Sequence, residues 1–207
     1  MKAYVVEGIG TFFLVLVIGL SVIAPGAGAM APLAIGAILM TMVYAGGHIS
    51  GGHYNPAVTL AVWLRGKCKT QEVPGYMGAQ VAGALLAAAA VKVLKAGSPV
   101  VAMQISETRA LLAEVLGTFA LAYVVLNVAT AKQTAGNSYF GLAIGMTVMA
   151  CAYAMGNISG GAFNPAVAVG ITRMGLSAPG NLWIFLVGNF AGGALAAMVF
   201  RATHPAE

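Results

Sequence analysis

Between Glu7 and Arg65 the chain carries no Asp, Glu, Lys or Arg for 57 consecutive residues, 8–64. A second uncharged stretch, 133–172, runs for 40. One bilayer crossing needs about 20 apolar residues, so each stretch exceeds a single crossing and neither suits a water-facing fold. Composition agrees: 60% of the 207 residues are hydrophobic and 7% are charged, against about a quarter charged in a soluble domain. A helix satisfies its own backbone polar groups in lipid, so the chain reads as an all-α membrane protein with several crossings.

Six segments are apolar and long enough to span, roughly 3–23, 31–46, 75–95, 108–130, 138–156 and 180–201, the second and fifth ending at glycine clusters. Two further apolar pieces, 55–64 and 164–172, each follow Asn-Pro. Ten helical residues reach about 15 Å, half of a roughly 30 Å hydrocarbon core, so these two read as re-entrant half-helices. The first span is too long for a signal-peptide core and is read as retained.

The chain also repeats itself. Gly47-His48-Ile49-Ser50-Gly51-Gly52-His53-Tyr54-Asn55-Pro56-Ala57-Val58 returns 109 residues later as Gly156-Asn157-Ile158-Ser159-Gly160-Gly161-Ala162-Phe163-Asn164-Pro165-Ala166-Val167. Leu33-Ala34-Ile35-Gly36, Tyr44, Gln80 and Gly83 are answered at the same offset by Leu142-Ala143-Ile144-Gly145, Tyr153, Asn189 and Gly192. Glu7, Gly10, Thr11 and Phe12 match Glu114, Gly117, Thr118 and Phe119 at 107, which a two-residue difference in one loop explains. Residues 1–207 thus form one transmembrane domain of two repeats, about 1–98 and 106–207. Three crossings per repeat make the second enter from the opposite side, so the repeats are inverted and equivalent elements face each other at mid-depth.

Basic residues set the orientation. With the N-terminus inside, Lys2, Arg65, Lys67, Lys69, Lys132 and Arg201 are cytoplasmic, and Lys92, Lys95, Arg109 and Arg173 are external. The dense cluster at 65–69 and the uncharged loop at 24–30 favour that choice, with both termini cytoplasmic. The net charge of +5 is spread between apolar spans with no basic stripe, which excludes a nucleic-acid partner. Cys68, Cys151 and three histidines show no metal-ligand spacing, and no nucleophile–base set or phosphate loop is present, so neither an enzyme nor a cofactor is expected.

Asn-Pro-Ala has a physical meaning at the start of a half-helix. Proline at the first helical position loses no bond, and the preceding asparagine caps the first turn with its side-chain oxygen. Asn55-Pro56-Ala57 and Asn164-Pro165-Ala166 would then bring two capped, positive helix ends together near the bilayer centre. Their NH₂ donors would be left for a wet path. Non-helical backbone at membrane depth is tolerated where it lines a cavity. Carbonyls of Gly51, Gly52, His53 and of Gly160, Gly161, Ala162 would therefore form an acceptor ladder for a file of small polar molecules. His48 is expected to brace the loop beside the first half-helix.

On these duplicated motifs the chain resembles the aquaporin and glycerol-facilitator family, from Glu7 to about Val199. The resemblance implies six transmembrane helices and two half-helices, one pore per protomer and a homotetramer in the lipid bilayer. It also implies that Glu7 and Glu114 brace the re-entrant loops by accepting hydrogen bonds. Water-selective members carry an arginine after the second Asn-Pro-Ala; here that position is Val167, and Ala168 follows where glycerol channels carry Asp. The other three filter positions fall on Ile35, Ala152 and Gly161. The duplicated caps, with no ion-coupling site, point to a passive channel for water and small uncharged solutes, and a gate of Ile, Ala, Gly and Val adds urea, ammonia or glycerol to what it passes; the compact loops suggest a plasma or inner membrane. A water-selective channel and a secondary transporter of a small neutral solute stand as alternatives, the latter requiring saturable, gradient-driven accumulation.

Overall fold

Gly46 and Gly156 do not end the second and fifth spans, contrary to the sequence expectation. The helices run on to Ser50 and Ser159, and stop only where Gly51 and Gly160 adopt φ of 89° and 95°, left-handed caps that free their last carbonyls from the helical pattern. Gly46 stays inside its helix because a Cβ there would collide with the Tyr54 hydroxyl. It is a packing residue rather than a breaker. The computed structural model describes residues 1–206; Glu207, with which the second repeat ends, lies outside them.

In order, the helices are α1 (Lys2–Val22), α2 (Ala31–Ser50), α3 (Pro56–Leu64), α4 (Val73–Leu94), α5 (Glu107–Ala129), α6 (Phe140–Ser159), α7 (Pro165–Met174) and α8 (Leu182–Thr203). Six are long and apolar enough to cross a membrane; α3 and α7, with nine and ten residues, are not. α7 runs two residues further than expected, through Arg173 and Met174 to the left-handed Gly175. From α2 onward each helix begins 109 residues before its counterpart, and the α1–α2 loop has eight residues where the α5–α6 loop has ten. That difference accounts for the second offset. Six antiparallel crossings return both termini to one end of the bundle.

The bundle closes through small residues, which allow backbones to approach where no water drives association. α1 packs on α4, α5 on α8, and α2 on α6. A Cβ at Gly83 would collide with the Gly8 carbonyl oxygen, and one at Gly192 would lie 2.5 Å from that of Val115. Neither neighbour is a movable side-chain tip. Gly83→Ala is therefore expected to lower the melting temperature in detergent, with a destabilisation of about 1–3 kcal/mol from the forced separation of α1 and α4. An unchanged melting temperature would contradict this packing.

Candidate functional site

After α2 ends, the chain must turn back into the bundle without helical hydrogen bonds. Gly51 and Gly52 make the turn at φ of 89° and 63°, and Tyr54 follows at φ 49° despite its side chain. A left-handed residue other than glycine costs about 1–2 kcal/mol, so something must hold it. Glu7 on α1 does. Its Oε1 accepts from the Ser50 hydroxyl at 2.7 Å and the His53 amide at 2.9 Å. Its Oε2 accepts from the Tyr54 amide at 2.6 Å and Gln80 Nε2 at 2.7 Å. The Tyr54 ring lies over Gly10, where there is no room for a Cβ, and its hydroxyl donates to the Met42 carbonyl at 2.9 Å.

The second half repeats the device. Phe163 takes φ 48° and sits over Gly117, where a Cβ would collide with its ring. Glu114 accepts from the Ser159 hydroxyl at 2.7 Å, the Ala162 amide at 3.0 Å and the Phe163 amide at 2.7 Å. Asn189, a methylene shorter than Gln80, does not extend this set; its Oδ1 accepts from Thr118 instead, at 2.9 Å. Both glutamates are fully buried.

The half-helices start as their sequence requires. Asn55 Oδ1 accepts from the Ala57 and Val58 amides at 2.8 and 3.4 Å. Asn164 Oδ1 accepts from Ala166 and Val167 at 2.9 and 3.3 Å. Their NH₂ groups depart from expectation, because neither is left wholly for solvent. Asn55 Nδ2 donates to the Phe163 carbonyl at 2.8 Å and Asn164 Nδ2 to the Tyr54 carbonyl at 2.9 Å. These cross-ties join the two tips. They use one N–H of each carboxamide, and the other has no acceptor among the described residues. The tips meet because each strained residue before an asparagine presents its carbonyl to the opposite cap. Pro56, Ala57, Pro165 and Ala166 are buried behind them.

His48 does not brace the loop: it is an exposed residue in the last turn of α2, with no hydrogen bond to the described residues. Ser50 takes that role together with Tyr76 on α4, whose hydroxyl donates to the Ser50 carbonyl at 2.7 Å. The serines, the glycine seats and the left-handed aromatics were the functional positions missed in the sequence. Their duplication was visible, but their partners lie on another helix.

Two cavities approach the tips from opposite ends. The larger, about 740 Å³, opens away from the termini and is lined by Gly52, His53, Asn55, Gly160, Gly161, Ala162 and Asn164. Ile35, Ala152 and Val167 line it as well, so the four expected gate residues share one cavity, whose wall holds no Asp, Glu, Lys or Arg among the described residues. The smaller, about 370 Å³, lies on the terminal side and is lined by Ser50, Gly51, His53, Lys67 and Glu72 among others. His53 borders both cavities, its Nδ1 3.1 Å from the Thr59 hydroxyl. Thr59 Oγ1 donates to the Asn55 carbonyl and accepts from Gln80, so it meets the imidazole as an acceptor. That assigns the proton to Nδ1 and leaves Nε2 as an acceptor.

The chain is 35% identical to a glycerol uptake facilitator protein-like 6 of Lactiplantibacillus plantarum, with 97% of each chain covered. It is 34% identical to aquaporin NIP1-4 of Oryza sativa subsp. japonica, covering 97% of this chain and 76% of that one. Among solved structures, the aquaglyceroporin from Plasmodium falciparum superposes with a TM-score of 0.81 at 21% identity, over 96% of this chain and 94% of that one, which speaks for the fold. The major intrinsic protein family model matches residues 1–200, and the chain belongs to that family.

Proposed function

We propose that this chain is a passive membrane channel whose wide apolar gate admits urea, ammonia or glycerol alongside water and excludes ions and protons. The observation that carries the reading is the pair of reciprocal ties between Asn55 and Asn164 and the opposite half, with one cavity reaching those tips and a second on the terminal side that shares His53 with it. Two positive helix ends at one point oppose a cation or a relayed proton, while the remaining N–H groups can donate to a neutral oxygen. Acceptors come from the backbone of 51–53 and 160–162. Ile35, Ala152, Gly161 and Val167 form the gate and offer it no side-chain hydrogen bond. Glu7 and Glu114 act as structural braces.

The homotetramer that the family resemblance implies, with a pore in each protomer, belongs to this reading, as does a plasma or inner membrane. Both termini lie on the cytoplasmic side, supported by Lys67 and its basic neighbours at the terminal end. The test compares water, glycerol, urea and ammonia fluxes in one preparation of proteoliposomes. All four are expected to exceed protein-free vesicles. Faster water with the other three at background would replace this reading with a water-selective channel, and accumulation against a gradient would replace it with a transporter.

A further inference from the structure

Tyr44 and Tyr153 are equivalent by the repeat, yet their surroundings differ. Tyr44 is seated: its hydroxyl donates to the Ser138 carbonyl at 3.2 Å and accepts from the Leu142 amide at 3.0 Å. Its ring meets Phe140 edge-on at 5.1 Å and rests on Gly141, where a Cβ would lie 2.9 Å away. In the other half the positions answering Phe140 and Gly141 are Ala31 and Pro32. The aromatic partner is missing and the glycine seat is filled. Tyr153 accordingly has no hydrogen bond or ring partner among the described residues, is 50% exposed, and lines the larger cavity beside Ala31 and Pro32.

Asn157 lies one turn further along α6, on the same face as Tyr153. It too lines the cavity, is exposed, and makes no hydrogen bond to the described residues. The other polar side chains of that cavity, His53, Tyr54, Asn55 and Asn164, belong to the central region where the half-helices meet; the remaining described wall is apolar. Tyr153 and Asn157 are therefore the polar side chains on the open side of the gate. They face a cavity otherwise walled by aliphatic groups such as Val22, Ile23 and Val100.

We propose that Tyr153 and Asn157 form a docking step outside the gate for short-chain polyols, holding adjacent hydroxyls while the carbon edge meets the aliphatic wall. The inference rests on the solute-channel reading above. A phenol and a carboxamide each donate and accept, as a hydroxyl does, so the pair can replace water on both kinds of site. Neighbours four apart on a helix have Cβ atoms about 5–6 Å apart, which suits two hydroxyls of a three-carbon polyol. Urea, with no carbon edge, gains less. A solute docked there lies next to Gly160 and Gly161, whose carbonyls are next in line.

The test measures glycerol uptake against glycerol concentration, together with osmotic water flow, in proteoliposomes of wild type, Tyr153→Phe, Asn157→Ala and the double variant. Two lost hydrogen bonds predict about tenfold lower glycerol flux at low concentration for the double variant, with water flow within about twofold of wild type. A further variant, Ala31→Phe with Pro32→Gly, rebuilds the Tyr44 seat around Tyr153. It is expected to lower glycerol flux while keeping the phenol in the chain. Glycerol curves that match wild type in variants with normal water flow overturn the docking step alone. Wild-type glycerol flux no greater than in protein-free vesicles overturns both this step and the channel reading beneath it.

Discussion

Glu7→Ala is expected to yield protein that neither stays monodisperse in detergent nor speeds vesicle shrinkage. The substitution strands the Ser50 hydroxyl, the His53 and Tyr54 amides and one N–H of Gln80 Nε2 together, at a site with no exposure. Each buried donor left unmade costs about 1–3 kcal/mol, and the left-handed Tyr54 loses what offsets its own strain. A loss of roughly 4 kcal/mol or more is large against the marginal stability of folded chains. Glu114→Ala strands three donors and is expected to be milder, with detectable folded protein and reduced water flow. Glu7→Gln keeps one acceptor oxygen and should fall between wild type and Glu7→Ala. Size-exclusion profiles and melting curves of the three variants check the order. Normal folding and flow in Glu7→Ala would remove the brace from the explanation.

Val167→Arg is expected to cut urea and glycerol flux by about tenfold or more, equivalent to a barrier of about 1.4 kcal/mol or above, while water flow falls far less. Val167 is the third residue of α7 and 3% exposed, in the same cavity wall as Ile35, Ala152 and Gly161. A guanidinium there fills space left by Ala152 and Gly161 and holds water or carbonyls on five donors, so a larger solute must displace it. Val167→Leu adds bulk without charge and separates the two causes: a similar loss there assigns selectivity to width alone. The arginine at a helix N-terminus also costs some stability, about 0.3–1 kcal/mol, which melting curves would register. Solute fluxes that ignore both substitutions would show that the gate lies elsewhere.

The architecture was legible because bilayer physics restricts it severely. Two long uncharged stretches, two short helices behind Asn-Pro, and one offset gave the span number, the half-helices and the inversion. The glycine clusters misled because glycine inside a helix and glycine beyond its end look alike in sequence. Gly46 leaves room for the Tyr54 hydroxyl and Val6, whereas Gly51 takes φ 89° and turns the chain, a difference set by tertiary contacts rather than by local sequence. The asparagine caps were readable as local chemistry, since Asn55 meets amides two and three residues on. Their second bonds were not, because Phe163 and Tyr54 are reached only after the repeats face each other. His48 failed as a brace for the same reason: proximity in sequence put it near the loop, while the helix turned it outward. The divergence of Tyr153 from Tyr44 was hidden until Phe140 and Ala31 could be compared in place.

The most direct test of two capped tips holding open a polar passage is the temperature dependence of osmotic water flow through the wild-type protein in liposomes, read alongside proton leak. Expected are faster shrinkage than in protein-free vesicles, a temperature dependence as shallow as that of diffusion in bulk water, and a proton leak no greater than the lipid's own. Folded protein that leaves shrinkage at the protein-free rate, or accelerates it only with the steep temperature dependence of the bilayer, contradicts the passage.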